Sequence, residues 1–177
     1  VVIELKKDVN PQVVLNFLYK HTQLQDSFGA IMLALVDGEP RILNLKEMLY
    51  YYLEHQKEVV TRRTQYDLDK ALARAHLVEG FLRALDIIDE VISLIRSSRT
   101  TDIARTRLME ELGFSLEQAK SILDMRLQRL TGLEREKLQQ EYDQLMADIA
   151  HYRAILADPQ MVLDIIKEEI LVIKDKY

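Results

Sequence analysis

Residues 138–156 read LQQEYDQLMADIAHYRAIL, and their apolar side chains recur at alternating steps of four and three. This spacing is typical of a coiled-coil seam, because every side chain in it faces the same partner helix. The same phase resumes after Asp158-Pro159, a pair that fits an N-cap and a first helical residue, so we expect a brief break between two helices there. The predicted seam consists of Leu138, Tyr142, Leu145, Ile149, Tyr152 and Leu156, and then of Leu163, Ile166, Ile170, Ile173 and Tyr177.

A second seam lies earlier in the chain. Asn44–Glu47 has the form of a capping box, in which each of the two end residues bonds through its side chain to the backbone N–H of the other. Neither Gly nor Pro follows before Gly80, which allows one helix, or two nearly collinear helices, of about 35 to 50 residues. Two long helices joined by a compact segment fold back most simply as an antiparallel pair. The residues of this seam are Leu68, Ala71, Ala75, Val78, Leu82 and Leu85.

Shorter helices are predicted between the two seams. Arg96–Thr101 reads as a loop, and the helix that follows it ends at Gly113, a residue suited to the left-handed position after a helix. Ser115–Gln118 is a second capping box, which opens a helix to about Leu130. Thr131–Glu134 is a third capping box and begins the final long helix. We therefore expect a small helical head between the long helices.

The beginning of the chain has a different pattern. Asn10-Pro11 fits the N-cap and first residue of a helix that runs to about His21. Asp37-Gly38 separates two strand-like runs, a combination that favours a β-hairpin. Strands are predicted at Val1–Leu5, Ser27–Val36 and Arg41–Leu43.

The predicted fold is mainly α: a long antiparallel coiled coil capped by a small helical dimerisation head, with a short α/β N-terminal segment. Its parts are an α/β edge at residues 1–43, a descending helix at 44–92, the head at 93–132 and an ascending helix at 133–177. Because the chain begins at Val1 in a strand-like run and ends at Tyr177 in a helical pattern, we expect a piece of a longer protein.

Composition excludes several classes of protein. The chain has 177 residues with 5 Gly and 3 Pro, which agrees with long helices and disfavours a loop-rich fold. It has no Cys, so disulfides and Cys-ligated metals are excluded, and a reducing cytosol is the expected compartment. No apolar run is long enough for a membrane helix, so no membrane partner is expected. The net charge of -5 argues against an independent nucleic-acid-binding module, which usually carries a basic surface.

The chemistry of an active site is missing from the sequence. No nucleophile, base and orienting group form a recognisable trio, and the four histidines share no metal-ligand spacing, so we predict neither catalytic nor metal-binding residues. None of the tyrosines fits a nucleophile for DNA, and Tyr142 and Tyr152 occupy seam positions. The most basic stretch, residues 57–74, is nearly balanced by acidic residues. Intrahelical ion pairs explain it more simply than contacts with phosphate, and no DNA-binding residue is assigned.

The predicted head helix carries more apolar residues than one buried stripe requires. The surplus has two explanations, a core between the head and the long helices or a patch that is buried when two chains dimerise. The candidate residues for a dimer contact are Ile122, Leu123, Met125, Leu127 and Leu130.

Several motifs resemble one family. Ser121–Glu134 resembles the segment before the ascending helix in the A subunits of bacterial DNA gyrase, which are type IIA DNA topoisomerases. Asn16–Gln25 with Ser27–Gly29 resembles the end of their tower domain, and Val59–Thr64 with Arg74–His76 resembles their descending helix. The likeness covers essentially the whole chain, with the motifs in the same order.

This resemblance implies a structural role in a large enzyme. Such subunits form homodimers through the head, which acts as the exit gate for transported DNA, in the cytoplasm and associated with the nucleoid. They act with a B subunit on duplex DNA, and the B subunit binds the ATP and Mg²⁺ used for supercoiling. The cleaving tyrosine lies in an upstream domain, so the resemblance implies no catalytic residue and no cofactor in this chain, which should be inactive alone. Two alternatives are the corresponding region of topoisomerase IV, although Leu130–Glu134 favours gyrase, and an unrelated coiled-coil dimerisation scaffold.

Overall fold

A computed structural model describes residues 2–125 and 132–177, which divide into one compact unit up to Tyr51 and a second from Tyr52. The mainly helical fold class is confirmed. The elements are α1 (Pro11–His21), β1 (Met32–Val36), β2 (Glu39–Leu43), α2 (Leu45–Asp86), α3 (Ile88–Ser97), α4 (Thr101–Glu110), α5 (Leu116–Leu123), α6 (Gly132–Ala157) and α7 (Pro159–Lys176).

The first unit contains α1, the β-hairpin and the start of α2. The N-cap prediction for α1 is confirmed, because the Asn10 side chain accepts a hydrogen bond from the backbone N–H of Gln12 at 3.0 Å. β1 and β2 pair antiparallel, and Asp37 and Gly38 between them both have positive φ, as the predicted tight turn requires. The capping box of α2 is also confirmed, with two hydrogen bonds of 2.9 Å between Asn44 and Glu47.

Two predictions for the first unit are wrong. Residues 2–5 form no strand, and the strand predicted from Ser27 begins only at Met32. A strand is stabilised by hydrogen bonds to a neighbouring strand. In the described part of the chain the sheet has only the two strands β1 and β2, so neither of these segments has a partner.

α2 pairs with α6 and α7 in antiparallel orientation within the second unit. Asp86, near the C-terminal end of α2, forms an ion pair with Arg135 at the start of α6. Earlier on α2, Arg63 forms an ion pair with Glu169 on α7, with 2.6 Å between Nη2 and Oε1. Later positions on one helix therefore face earlier positions on the other, as the two predicted seams require. α2 ends at Asp86, before the predicted boundary at residue 92.

The two seams meet in successive buried clusters. One cluster joins Leu68, Ala71 and Ala75 of α2 to Ile149 of α6, with Leu145, Tyr152 and Leu156 half-buried against it. The next cluster joins Val60 to Ile155, Val162 and Ile166, of which only Ile166 belongs to a predicted seam. The small side chains of Ala71 and Ala75 leave room for the large ones that α6 contributes, which allows close packing without voids.

The break between α6 and α7 has the predicted cap. The Asp158 side chain accepts a hydrogen bond from the backbone N–H of Gln160 at 2.8 Å, and Pro159 is the first residue of α7. The seam does not continue to the end of α7 as predicted, because Ile170, Ile173 and Tyr177 are exposed. Tyr52, near the start of the second unit on α2, is exposed as well, so neither helix buries a seam at these positions.

Candidate functional site

The head consists of α3, α4 and α5, packed against the C-terminal part of α2 and the start of α6. Leu108 of α4 and Ala119 of α5 have no exposed surface, and Leu138 of α6 belongs to the same cluster. Burial of these apolar side chains is the main stabilising contribution to the head. The buried residues are Val78, Phe81, Ala84, Val91, Leu94, Leu108, Phe114, Ala119, Ile122 and Leu138.

α3 is apolar on two faces. Val91 and Leu94 point into the core of the head, whereas Ile88, Ile92 and Ile95 form a second stripe with a spacing of four and three residues. The second stripe lines a cavity of about 250 Å³ together with side chains from the end of α5 and the residues after it. The head therefore has an apolar surface in addition to its core.

α5 is shorter than predicted. Its capping box is confirmed, since the Ser115 hydroxyl accepts from the N–H of Gln118 at 3.1 Å and the Gln118 side chain accepts from the N–H of Ser115 at 3.0 Å. The prediction that this helix runs to Leu130 is wrong, because α5 ends at Leu123. The backbone N–H of Met125 bonds to the carbonyl of Ile122, three residues earlier, a tightened last turn that ends the helix.

The five candidate residues for a dimer contact fall into three groups. Ile122 is 5% exposed and packs inside the core, so the internal explanation holds for this residue. Leu123 and Met125 are half-buried and line the cavity beside α3, where their outer surfaces remain accessible. Leu127 and Leu130 lie outside the described residues. The dimer contact stays a prediction for Leu123, Met125, Leu127 and Leu130.

Three polar side chains, those of Gln118, His76 and Arg83, attach the head to α2. The Gln118 side chain of α5 donates through Nε2 to the backbone carbonyl of His76 at 2.8 Å, and His76 Nε2 lies 2.7 Å from the Ser115 hydroxyl. Arg83 of α2 donates to the backbone carbonyl of Leu112 and, at 3.3 Å, to that of Gly113. These carbonyls belong to the turn after α4, whose own last carbonyls already accept from the N–H groups of Gly113 and Phe114, so Arg83 joins this turn to α2.

A further polar cluster joins α3 to α4. Arg107 donates to the Ser97 hydroxyl at 2.8 Å and forms a two-point ion pair with Glu111. The hydrogen bonds from Arg107 hold the pKa of the Glu111 carboxyl below its ordinary value. A hydrogen bond from its own backbone N–H, followed by one from Ser115, lowers the pKa of Glu117 in the same way. These pairs are exposed and orient side chains rather than create a reactive site.

The described residues contain no group of three or more His, Asp or Glu side chains placed to hold a metal ion. Every buried side-chain nitrogen and oxygen in this part of the chain has a hydrogen-bond partner. Tyr142 and Tyr152 are half-buried in the seam. Among the described helices, none combines the length and the apolarity needed to cross a membrane. The half-buried apolar side chains around the cavity of the head remain a candidate contact surface.

Some of these features were missed by sequence reasoning although a signal was present. The stripe Ile88, Ile92 and Ile95 has the spacing of a helical face, and it runs beside the stripe that contains Val91 and Leu94. Two apolar stripes on one short helix indicate contacts on two sides. No comparable signal marks the contact between Gln118 and His76, because the capping box already accounts for Gln118.

Comparison with known proteins agrees with the sequence motifs. Residues 1–171 match a family model that describes the A subunit of DNA gyrase/topoisomerase IV. Over its full length the chain is 61% identical to the DNA gyrase A subunit of Halalkalibacterium halodurans, covering 21% of that protein. It is 56% identical to the protein of the same name from Clostridium acetobutylicum, covering 21%, and 53% identical to that of Staphylococcus aureus, covering 20%. The chain therefore spans about a fifth of the length of these relatives.

Proposed function

We propose, from the premise that this chain belongs to the family of DNA gyrase/topoisomerase IV A subunits, that it forms the coiled coil and the exit gate of such a protein. In this proposal two copies meet through their heads and part to release a transported DNA duplex. The paired long helices hold each head at a distance from the site of DNA cleavage. The relatives that match the full chain are named as A subunits of DNA gyrase, which favours gyrase over topoisomerase IV.

The observation that carries the proposal is the apolar surface beside the core of the head. Leu123 and Met125 at the end of α5 and the outer stripe of α3 line a shared cavity, and Ile92 is exposed. Covering accessible apolar surface with a partner lowers the free energy of the complex. A gate contact must also separate, which a small patch containing a flexible methionine permits.

Sedimentation velocity over a range of protein concentrations tests the gate. The wild-type chain is expected to dimerise reversibly, and Leu123→Glu and Met125→Glu are expected to shift it to monomer with unchanged helix content by circular dichroism. Tyr66→Glu is the matched control, because Tyr66 is a 66% exposed apolar residue on α2, away from the head. Ile122→Glu should unfold the head, since it places a charge in the core. A wild-type chain that remains monomeric at all concentrations contradicts the proposed gate.

The enzymatic role is proposed for the whole protein. That protein works with a B subunit on duplex DNA in the cytoplasm, at the nucleoid, and ATP and Mg²⁺ bound by the B subunit drive supercoiling. We assign this chain no catalytic residue and no cofactor. Incubated with supercoiled plasmid, ATP and Mg²⁺, it is expected to leave the DNA topology unchanged and to form no covalent complex with DNA. Relaxed or cleaved plasmid would contradict this assignment.

A further inference from the structure

Gly80 lies inside α2, where a glycine destabilises the helix because it has the greatest backbone freedom. It is also the only glycine of α2. The close approach of the Gln118 side chain explains why a glycine occupies this position. A Cβ at position 80 would lie 2.6 Å from Cγ and 2.9 Å from Cδ of Gln118, distances too short for carbon atoms. Gly80 therefore allows the Gln118 side chain to lie directly on the backbone of α2.

Gln118 cannot easily move away from this position. Its Oε1 accepts from the backbone N–H of Ser115 at 3.0 Å, and its Nε2 donates to the carbonyl of His76 at 2.8 Å. The side chain is buried, so a displaced amide would lose both bonds without gaining water in exchange. The contact between Gly80 and Gln118 therefore combines a close steric fit with polar bonds that hold it in place.

A second attachment lies on the same face of α2. His76, Gly80 and Arg83 follow one another at steps of four and three residues, so they share one side of the helix. Arg83 donates to the carbonyls of the turn after α4, and its guanidinium carbon lies 4.7 Å from the centre of the Phe114 ring. This face is distinct from the one that holds Ala71 and Ala75, which pack against Ile149 of α6. α2 therefore contacts the head through this polar face in addition to the apolar side chains that it contributes to the core of the head.

We propose that Gly80 and Gln118 form a latch that fixes α5 at one position on α2, so that the head and the C-terminal part of α2 move as one body. The functional role of this latch rests on the proposed function of the head as an exit gate. α5 carries Leu123 at its C-terminal end, so the position of α5 on α2 sets the position of the proposed dimer surface. A released latch leaves the coiled coil paired while the gate surface loses its fixed orientation.

The test uses a double-mutant cycle of Gly80→Ala and Gln118→Ala in the 177-residue chain. In the wild-type background Gly80→Ala is expected to lower Tm, because the added methyl group displaces Gln118. In the Gln118→Ala background the same substitution is expected to lower Tm less, since the contacts with Cγ and Cδ are gone and only the 3.1 Å approach to Cβ of residue 118 remains. Glu79→Ala, at the exposed neighbouring position, is the control and should show the same small effect in both backgrounds.

Hydrogen exchange followed by mass spectrometry locates the effect. Gly80→Ala is expected to accelerate amide exchange in α5 by about tenfold or more while exchange in α7 stays unchanged. Should Gly80→Ala fail to fold, Gln118→Met gives the same readout, because it retains the length of the side chain and removes the amide. A Tm raised by Gly80→Ala in the wild-type background, or α5 exchange equal to that of wild type in both variants, overturns the latch.

The dimerisation measurement separates this inference from the proposed function. A folded Gly80→Ala chain is expected to dimerise with a dissociation constant raised about tenfold or more. An unchanged dissociation constant overturns the link between the latch and the gate. A wild-type chain that does not dimerise refutes the proposed gate, while the exchange and Tm measurements still decide whether the latch exists.

Discussion

Arg74 of α2 and Glu141 of α6 form a two-point ion pair, with 2.6 Å between Nε and Oε1 and 3.0 Å between Nη2 and Oε2. The hydrogen bonds that Arg74 donates to Glu141 raise the pKa of Arg74 above its ordinary value. A planar guanidinium facing a carboxylate has one favourable geometry. The pair therefore specifies the register between α2 and α6 near Arg74. The apolar seam alone defines this register less sharply.

Arg74→Lys is expected to weaken this pair by removing the two-point geometry. Because both side chains are partly exposed, the loss in free energy of unfolding should be below about 1 kcal/mol, and it should shrink at high salt. Urea denaturation at low and high ionic strength measures it. Arg62→Lys is the control, since the pair between Arg62 and Glu58 lies within α2 and does not bridge two helices. An equal effect in both variants would contradict a role in register.

Leu108→Ala is expected to lower the free energy of unfolding by about 2–5 kcal/mol, because it opens a cavity in the core of the head. Leu108 has no exposed surface. Met109→Ala, at the next position of the same helix, should cost less than about 1 kcal/mol because Met109 is exposed. Chemical denaturation of both variants provides the comparison. Similar losses would mean that the packing of α4 differs from that described.

Asp158→Ala is expected to lower the free energy of unfolding by about 0.5–2 kcal/mol through the loss of the N-cap of α7. Asp158→Asn is the matched control, because the amide oxygen can accept the same hydrogen bond from Gln160. Thermal unfolding followed by circular dichroism measures both. If Asp158→Asn and Asp158→Ala lower Tm to the same extent, the charge of Asp158 contributes more to stability than the N-cap hydrogen bond.

Acid is expected to weaken the link between Arg107 and Glu111. The pKa of Glu111 is lower in the folded state than in the unfolded chain, so the pair contributes its full stability above the unfolded-state value of about 4.3. This contribution disappears as the pH falls through the folded-state pKa. Glu111→Gln should therefore lower Tm at neutral pH, and its difference from wild type should shrink as the pH falls below about 4.3. A difference in Tm that persists at the lower pH would contradict this assignment.

The N-terminal ends of several helices could be predicted from the sequence. The Asn44–Glu47 and Ser115–Gln118 boxes and the Asp158-Pro159 cap were identified correctly, because each closes its hydrogen bonds within three residues. The C-terminal limit of α5 was not, since the residues after Leu123 still read as helical. The strand predicted at Val1–Leu5 failed for a related reason: a strand depends on a partner that local sequence does not supply.

The candidate site depended more strongly on tertiary contacts. The periodicity of the sequence showed more apolar residues on α5 than one buried stripe requires. It did not distinguish Ile122, which packs inward, from Leu123, which stays accessible. That choice depends on where α3 lies, and no residue spacing within α5 contains this information.

Local chemistry in the sequence thus determined the mainly helical class and the caps, because both arise from bonds between residues a few positions apart, and the apolar spacing indicated which helix faces pair. Only the tertiary structure decided which side of α5 is core and that Gly80 receives the side chain of Gln118. The two residues are far apart in the chain, and their contact exists only because α4 and α5 fold back onto α2.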